Sequence, residues 1–146
     1  MKLPQTKITV KTKNGDGITY QMKTSADAAQ FFRTIFDADT IQWTEECAMI
    51  TLNRANEVIS VDKLSSGGTS GVIVDSKVVF TIALKLTGHS IILAHNHPSG
   101  NLKPSNEDIE VTRKLRSGGD ILDIRVLDHI ILSDTGYLSM ADEGYI

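Results

Sequence analysis

Residues 90–97 read SIILAHNH, an apolar run that ends on two histidines one residue apart. Pro98, Ser99 and Gly100 follow, and a few residues later Ser105 stands three positions ahead of Asp108 at the head of SNEDIEVTRKLRSGG. A string of this kind leaves few folds open. SIILAH has the apolar density of a strand, and the Pro-Ser-Gly string ends it. Ser105 as cap, acids in the first turn, bases in the last and the pair Gly118-Gly119 predict a helix that starts after Ser105 and stops at the glycines. An apolar strand joined directly to an amphipathic helix belongs to a sheet covered by helices.

The rest of the chain fits that frame. KITVKTKNGDGITYQMKT reads as two short strands around KNGDG, residues that tolerate positive φ. TSADAAQFFRTIF reads as a helix, capped by Thr24 or Ser25 and striped by Ala28, Phe31, Phe32, Ile35 and Phe36. CAMITLN and NEVISVDKL read as strands joined at NRAN, and LSSGGTSG as a bend whose glycines lack the spacing of a phosphate cradle. DSKVVFTIALKLTG has some alternation, but Asp75 as cap, Gly88 as stop and its length favour a helix crossing between strands. IRVLDHIILSDTGYLSM closes the sheet as two strands around SDTG. The expected class is α/β, a mixed β-sheet flanked by helices. With 146 residues, one domain is expected.

Bulk properties narrow the function. The net charge is −3, and the basic runs MKLPQTKITVKTK and RKLRS read as solvated faces, so general attraction to nucleic acid or to an anionic membrane is not expected. No apolar run approaches the roughly 20 residues of a membrane span and no secretory leader opens the chain, so the cytoplasm is the expected compartment. Cys47 is the single cysteine, set in the apolar stretch CAMITL, and reads as a buried, inert thiol.

The chemistry concentrates where the strand meets the helix. On a strand, His95 and His97 point to the same face and can converge on one metal ion. The short loop can return Asp108 toward them, and two imidazoles with one carboxylate would leave a tetrahedral zinc one open position, as catalytic sites require. A second reading stays open. Ser-x-x-Asp is also a helix-capping arrangement that needs no metal, although a capping serine accepts through oxygen and keeps its proton free to donate. His89 and His129 read as ordinary satisfied polar residues.

His95-x-His97 followed by Ser105 and Asp108 matches the JAMM motif, His-x-His-x(7)-Ser-x(2)-Asp, without a spacing error. The fuller string HNHPSGNLKPSNED resembles the RadC branch of the JAB/MPN superfamily. EECAMITLNRANEVISV, VLDHIIL and GYLSMADEG agree with it, so the likeness runs from about Glu45 to the C-terminus. The resemblance implies a cytidine-deaminase-like architecture, with 45–146 as the domain and 1–44 as a hairpin and helix leading into it. It also implies zinc held by His95, His97 and Asp108, with Glu45 as the glutamate at the start of the first strand and Glu46 next in line. The helix-hairpin-helix segment common in RadC proteins has no counterpart in these residues, and SKVV stands where many relatives carry an Arg-Glu pair.

The implied activity is metal-assisted hydrolysis of a peptide or isopeptide amide. Zinc would supply a water with its pKa lowered toward ~7. Glu45 would carry the proton to the leaving amine, and Ser105 would donate to the oxyanion. The expected partner is a protein or peptide substrate. A non-catalytic MPN-fold binding module and a DNA-repair-associated protein are the alternatives, the latter disfavoured by the acidic balance.

Overall fold

The computed structural model describes residues 18–67 and 74–146. Eight elements follow in order: α1 (Ser25–Arg33), β1 (Glu46–Leu52), β2 (Val58–Ser66), α2 (Ser76–Lys85), β3 (Ser90–Asn96), α3 (Asn106–Leu122), β4 (Arg125–Leu132) and β5 (Tyr137–Ser139). The strands form one sheet in the order β2-β1-β3-β4-β5. It is mixed: β3 and β4 pair in parallel and the other neighbours are antiparallel. This is the expected α/β architecture. Helix α2 carries the chain across β1 from β2 to β3, and α3 links the parallel pair.

Residue parity sorts the core into two layers. Ala48, Ile50, Leu52, Ile92, Ala94, Ile130 and Leu132 face α1, where Ala28, Ala29 and Phe32 meet them. Met49, Ile91, Leu93 and Val126 face the other way, onto Val79 and Ala83 of α2 and Leu115 of α3. Strand β3 is therefore buried on both sides along its whole length. That is why SIILAH reads as an unbroken apolar run rather than an alternating one. Edge strand β2 alternates between half-buried and exposed positions.

Local signals account for the helix starts. Thr24 caps α1 in a reciprocal capping box with Asp27, and the Asp75 carboxylate accepts from the Lys77 N–H at 2.8 Å to start α2. Within α2, Val79 and Ala83 are buried four apart, a helical period, so the alternation in this segment did not mark a strand. Of the predicted N-terminal hairpin, KNGDG lies outside the described residues. The stretch after it runs beside the start of β2, with Gln21 bridging Glu57. The glycine-rich loop is described only as far as Gly67; residues 68–73 lie outside.

Two expectations fail: the second strand predicted for the hairpin forms only the isolated Gln21–Glu57 bridge, and the predicted end of α3 is too early. Gly118 and Gly119 do not stop α3, which continues to Leu122 and ends at Asp123 in the left-handed region, φ 55°. Its last turn also carries no base. The glycines serve close packing instead. A Cβ on Gly119 would lie 2.1 Å from the Ile124 carbonyl oxygen, and one on Gly118 would lie 2.9 Å from the Phe80 ring. Backbone cannot yield as a side chain can, so Gly119→Ala is expected to cost about 1–3 kcal/mol by overpacking. A lowered urea midpoint at unchanged slope would register it, and an unchanged midpoint would contradict this account.

Candidate metal centre

The site forms where β3 ends, α3 begins and the segment before β1 crosses them. His95 is on the α2/α3 face of β3 and almost fully buried, and His97 follows one residue past the strand. Their Nε2 atoms lie 2.9 Å apart. Asp108 reaches both: Oδ1 is 3.3 Å from Nε2 of His95, and Oδ2 is 3.5 Å from Nε2 of His97. Four ligands at about 2.0–2.1 Å from a tetrahedral ion stand about 3.3 Å from one another. The two imidazole nitrogens are close to such a separation, and Asp108 approaches each of them with a different oxygen. Glu45 joins the group, with a carboxylate oxygen and the two imidazole nitrogens all within 4.8 Å of one another. Glu45, His95 and His97 could hold a metal ion as they stand.

Each group is aimed by a local device. The His97 Nδ1–H donates to the Asn101 carbonyl at 2.5 Å, which leaves Nε2 free to face the centre. Asp108 is the third residue of α3, where the Ser105 N–H donates to its Oδ2 at 2.7 Å. The Asp108 N–H donates back to Ser105 Oγ at 3.0 Å. This is the reciprocal capping box that the spacing predicts. The capping box and the approach to the imidazoles coexist, because each Asp108 oxygen has more than one lone pair.

The Glu45 segment is held by a residue that sequence reasoning passed over. Asn96, between the two histidines, points to the opposite face and is fully buried. Its Nδ2 donates to the carbonyls of Ile41 and Thr44, at 2.7 and 2.8 Å, and its Oδ1 accepts from the Glu46 N–H at 2.7 Å. Gly67 N–H donates to the Glu45 carbonyl from the end of β2. Glu45 is thus fixed on both sides. The neighbouring Glu46 carboxylate lies 3.4 Å from Lys63 Nζ, toward β2. Of the two acids, Glu45 is the one brought to the histidines.

Behind His95 lies a second missed residue. His129, on β4, is fully buried, with Nε2 2.7 Å from His95 Nδ1 and Nδ1 2.6 Å from Thr112 Oγ1. It is satisfied, as expected, but its partner is a candidate ligand. The available signal was its place in the apolar run VLDHIIL, where a buried polar side chain must find a partner. His89 lies before the other end of β3, away from the group.

Charge in the site follows from these contacts. Burial pushes the Asp108 carboxyl up, but the neighbouring His95 and His97 imidazoles, with the Ser105 N–H, outweigh it and hold it well below the usual carboxylate range. The Asp108 carboxylate beside it raises the His97 imidazole above its ordinary value, against burial. Burial keeps His129 well below its ordinary value, and so neutral. Cys47, paired in register with His95, has its thiol pushed up to about 12 by burial and by the charges of Asp108 and Glu45. Iodoacetamide at pH 8 is therefore expected to leave native protein unmodified and to label it once unfolded. Rapid native labelling would contradict the burial of the thiol.

A cavity of about 600 Å³ opens beside the centre, lined by Trp43, Glu45, His97, Lys103, Pro104 and Ser105 among others. Trp43 is 82% exposed, a large apolar surface left uncovered at the rim.

The chain is similar in sequence to known proteins. The sequence model for the RadC-like JAB domain matches residues 22–145. A UPF0758 protein of Flavobacterium johnsoniae is 47% identical over 100 residues, covering 68% of this chain and 44% of its own. One of Methanococcoides burtonii is 46% identical over 102 residues, 70% of this chain and 44% of its own. One of Porphyromonas gingivalis is 38% identical over 121 residues, 82% of this chain and 53% of its own. The chain thus spans about half the length of the curated relatives it matches. Among the described residues, no helix is long and apolar enough to cross a membrane.

Proposed function

The chain belongs to the RadC-like JAB domain family, and from that premise we propose that it is a zinc-dependent hydrolase of peptide or isopeptide amide bonds. His95, His97 and Asp108 would hold the ion, and the donor set fits it: two imidazole nitrogens and one carboxylate suit zinc and leave one position for solvent. The observation that carries the reading is the convergence of these three side chains: the two Nε2 atoms lie 2.9 Å apart, and Asp108 brings one oxygen to within 3.3 Å of His95 Nε2 and the other to within 3.5 Å of His97 Nε2. Zinc bound there would supply a water acidic enough to lose a proton near neutral pH.

The chain's own residues would do the rest. Glu45 takes a proton and returns it to the leaving amine, which needs a carboxylate close to the two imidazoles and fixed there. Ser105 accepts the Asp108 N–H through Oγ, so its hydroxyl proton remains free to donate to an oxyanion on the cavity side. Ser105, the cap of α3, lines the same cavity, and the positive end of the helix dipole favours negative charge there. The exposed face of Trp43 and the prolines of the cavity suit a polypeptide laid across the rim. The net charge of −3 gives no comparable support to a nucleic-acid substrate.

The test begins with metal content. Protein purified without added metal and without chelating resin is expected to carry close to one zinc per chain by mass spectrometry. Zinc-loaded protein is then given a pool of linear peptides and lysine-branched isopeptides, and cleavage that a chelator abolishes is expected. Protein that neither retains nor takes up zinc would overturn the reading.

A further inference from the structure

The hydrogen bonds behind His95 run in one direction only, and that direction is dictated by a backbone carbonyl. Thr112, buried on α3, approaches two groups at once: the Asp108 carbonyl oxygen at 2.6 Å and His129 Nδ1 at 2.6 Å. Its hydroxyl has a single proton. The carbonyl has none to give, so the proton must lie on the bond to Asp108. Turned toward His129 instead, it would leave two lone-pair-bearing oxygens facing each other at 2.6 Å.

The rest follows link by link. Thr112 Oγ1 must accept from His129, so His129 Nδ1 carries the proton. A neutral imidazole protonated on Nδ1 has a bare Nε2. That bare Nε2 lies 2.7 Å from His95 Nδ1, so the proton between them belongs to His95. His95 Nε2, which faces His97 and Asp108, is therefore left with its lone pair outward. Met140 Sδ stands 3.9 Å from Thr112 Oγ1, and Met140, Thr112 and His129 have essentially no solvent exposure, so bulk solvent does not compete for these bonds.

We propose that Thr112 and His129 are positioning residues, a one-way relay from the Asp108 carbonyl to the His95 ring that fixes His95 as the tautomer able to bind a cation through Nε2. The inference rests on the metal-site reading above. The relay begins at one candidate ligand residue and ends at another. A helix (α3), a strand (β4) and a second strand (β3) are thereby tied into one polar chain beside the apolar layer of Met49, Leu93 and Leu115. Ligating histidines commonly donate their second N–H to a carboxylate, a carbonyl or water, and loss of that partner typically costs about 10- to 100-fold in metal affinity.

The test reads the tautomers directly. In zinc-free wild-type protein, long-range ¹H–¹⁵N correlation spectra are expected to show His95 and His129 both protonated on Nδ1. In Thr112→Val, His129 Nδ1 loses its acceptor; both rings are expected to reverse to Nε2–H, and zinc affinity to fall about 10- to 100-fold. Thr112→Ser, which keeps the hydroxyl, is expected to restore both. Wild-type His95 protonated on Nε2 would overturn the relay, whatever becomes of the variant. So would a folded Thr112→Val protein with wild-type tautomers and affinity. Wild-type protein that shows both Nδ1 protons yet takes up no zinc would sink the metal-site reading and leave the relay standing.

Discussion

Replacing Glu45 with glutamine is expected to leave zinc uptake near that of the wild-type protein and to lower hydrolysis by about 100- to 10,000-fold, the usual worth of a positioned acid–base group. Glutamine is close to glutamate in size, and the bonds that fix this segment run through the backbone. Asn96 holds the Thr44 carbonyl and the Glu46 N–H, and Gly67 holds the Glu45 carbonyl. The fold of the segment should therefore survive. The amide, however, cannot accept a proton at neutral pH. Zinc per chain and cleavage of the peptide pool, measured on the same preparation, check both halves. If zinc and hydrolysis fall together, Glu45 is a ligand rather than a base, an arrangement its closeness to the two imidazoles would permit.

Asp108→Asn carries the opposite expectation: zinc is lost first, and activity with it. The Asn Oδ1 can still accept the Ser105 N–H, so the helix start should persist. The anionic charge facing the two imidazoles is gone, though, and an amide N–H is turned toward lone pairs. The loss in affinity is expected to exceed the roughly 10- to 100-fold typical of an outer partner. Wild-type protein with zinc at 100 times its dissociation constant should gain about 2.7 kcal/mol, seen as a melting temperature raised by several degrees. The variant should show no such rise at the same zinc concentration. A wild-type rise and a wild-type zinc content in Asp108→Asn would remove it from the ligand set.

Much of this was legible in the residues, and what was not has a physical reason. Helix starts were readable because a cap is a local event: Thr24, Asp75 and Ser105 each satisfy N–H groups two or three residues away. The glycines at the end of α3 misled because glycine has two unrelated uses, breaking a helix and letting another backbone come close. Only the position of the Ile124 carbonyl separates the two, and that position is tertiary. Likewise, His95, His97, Ser105 and Asp108 lie within a stretch of fewer than fifteen residues, whereas Thr112 and His129 meet across the turn from α3 to β4. Glu45 and Glu46 are indistinguishable by pattern; Lys63 beside one and two imidazoles beside the other tell them apart.

Asn96 has a mechanical consequence for the strand that carries it. A strand sandwiched between two oily layers has no wet side to tell it where to stop sliding, and Ile, Leu and Ala would sit nearly as well one notch along. The three bonds of the Asn96 amide act as a detent, because any slip would push a ring or a methyl group into the carbonyls of Ile41 and Thr44. The residue between the two histidines thus serves as the index mark that keeps both of them in step with Glu45.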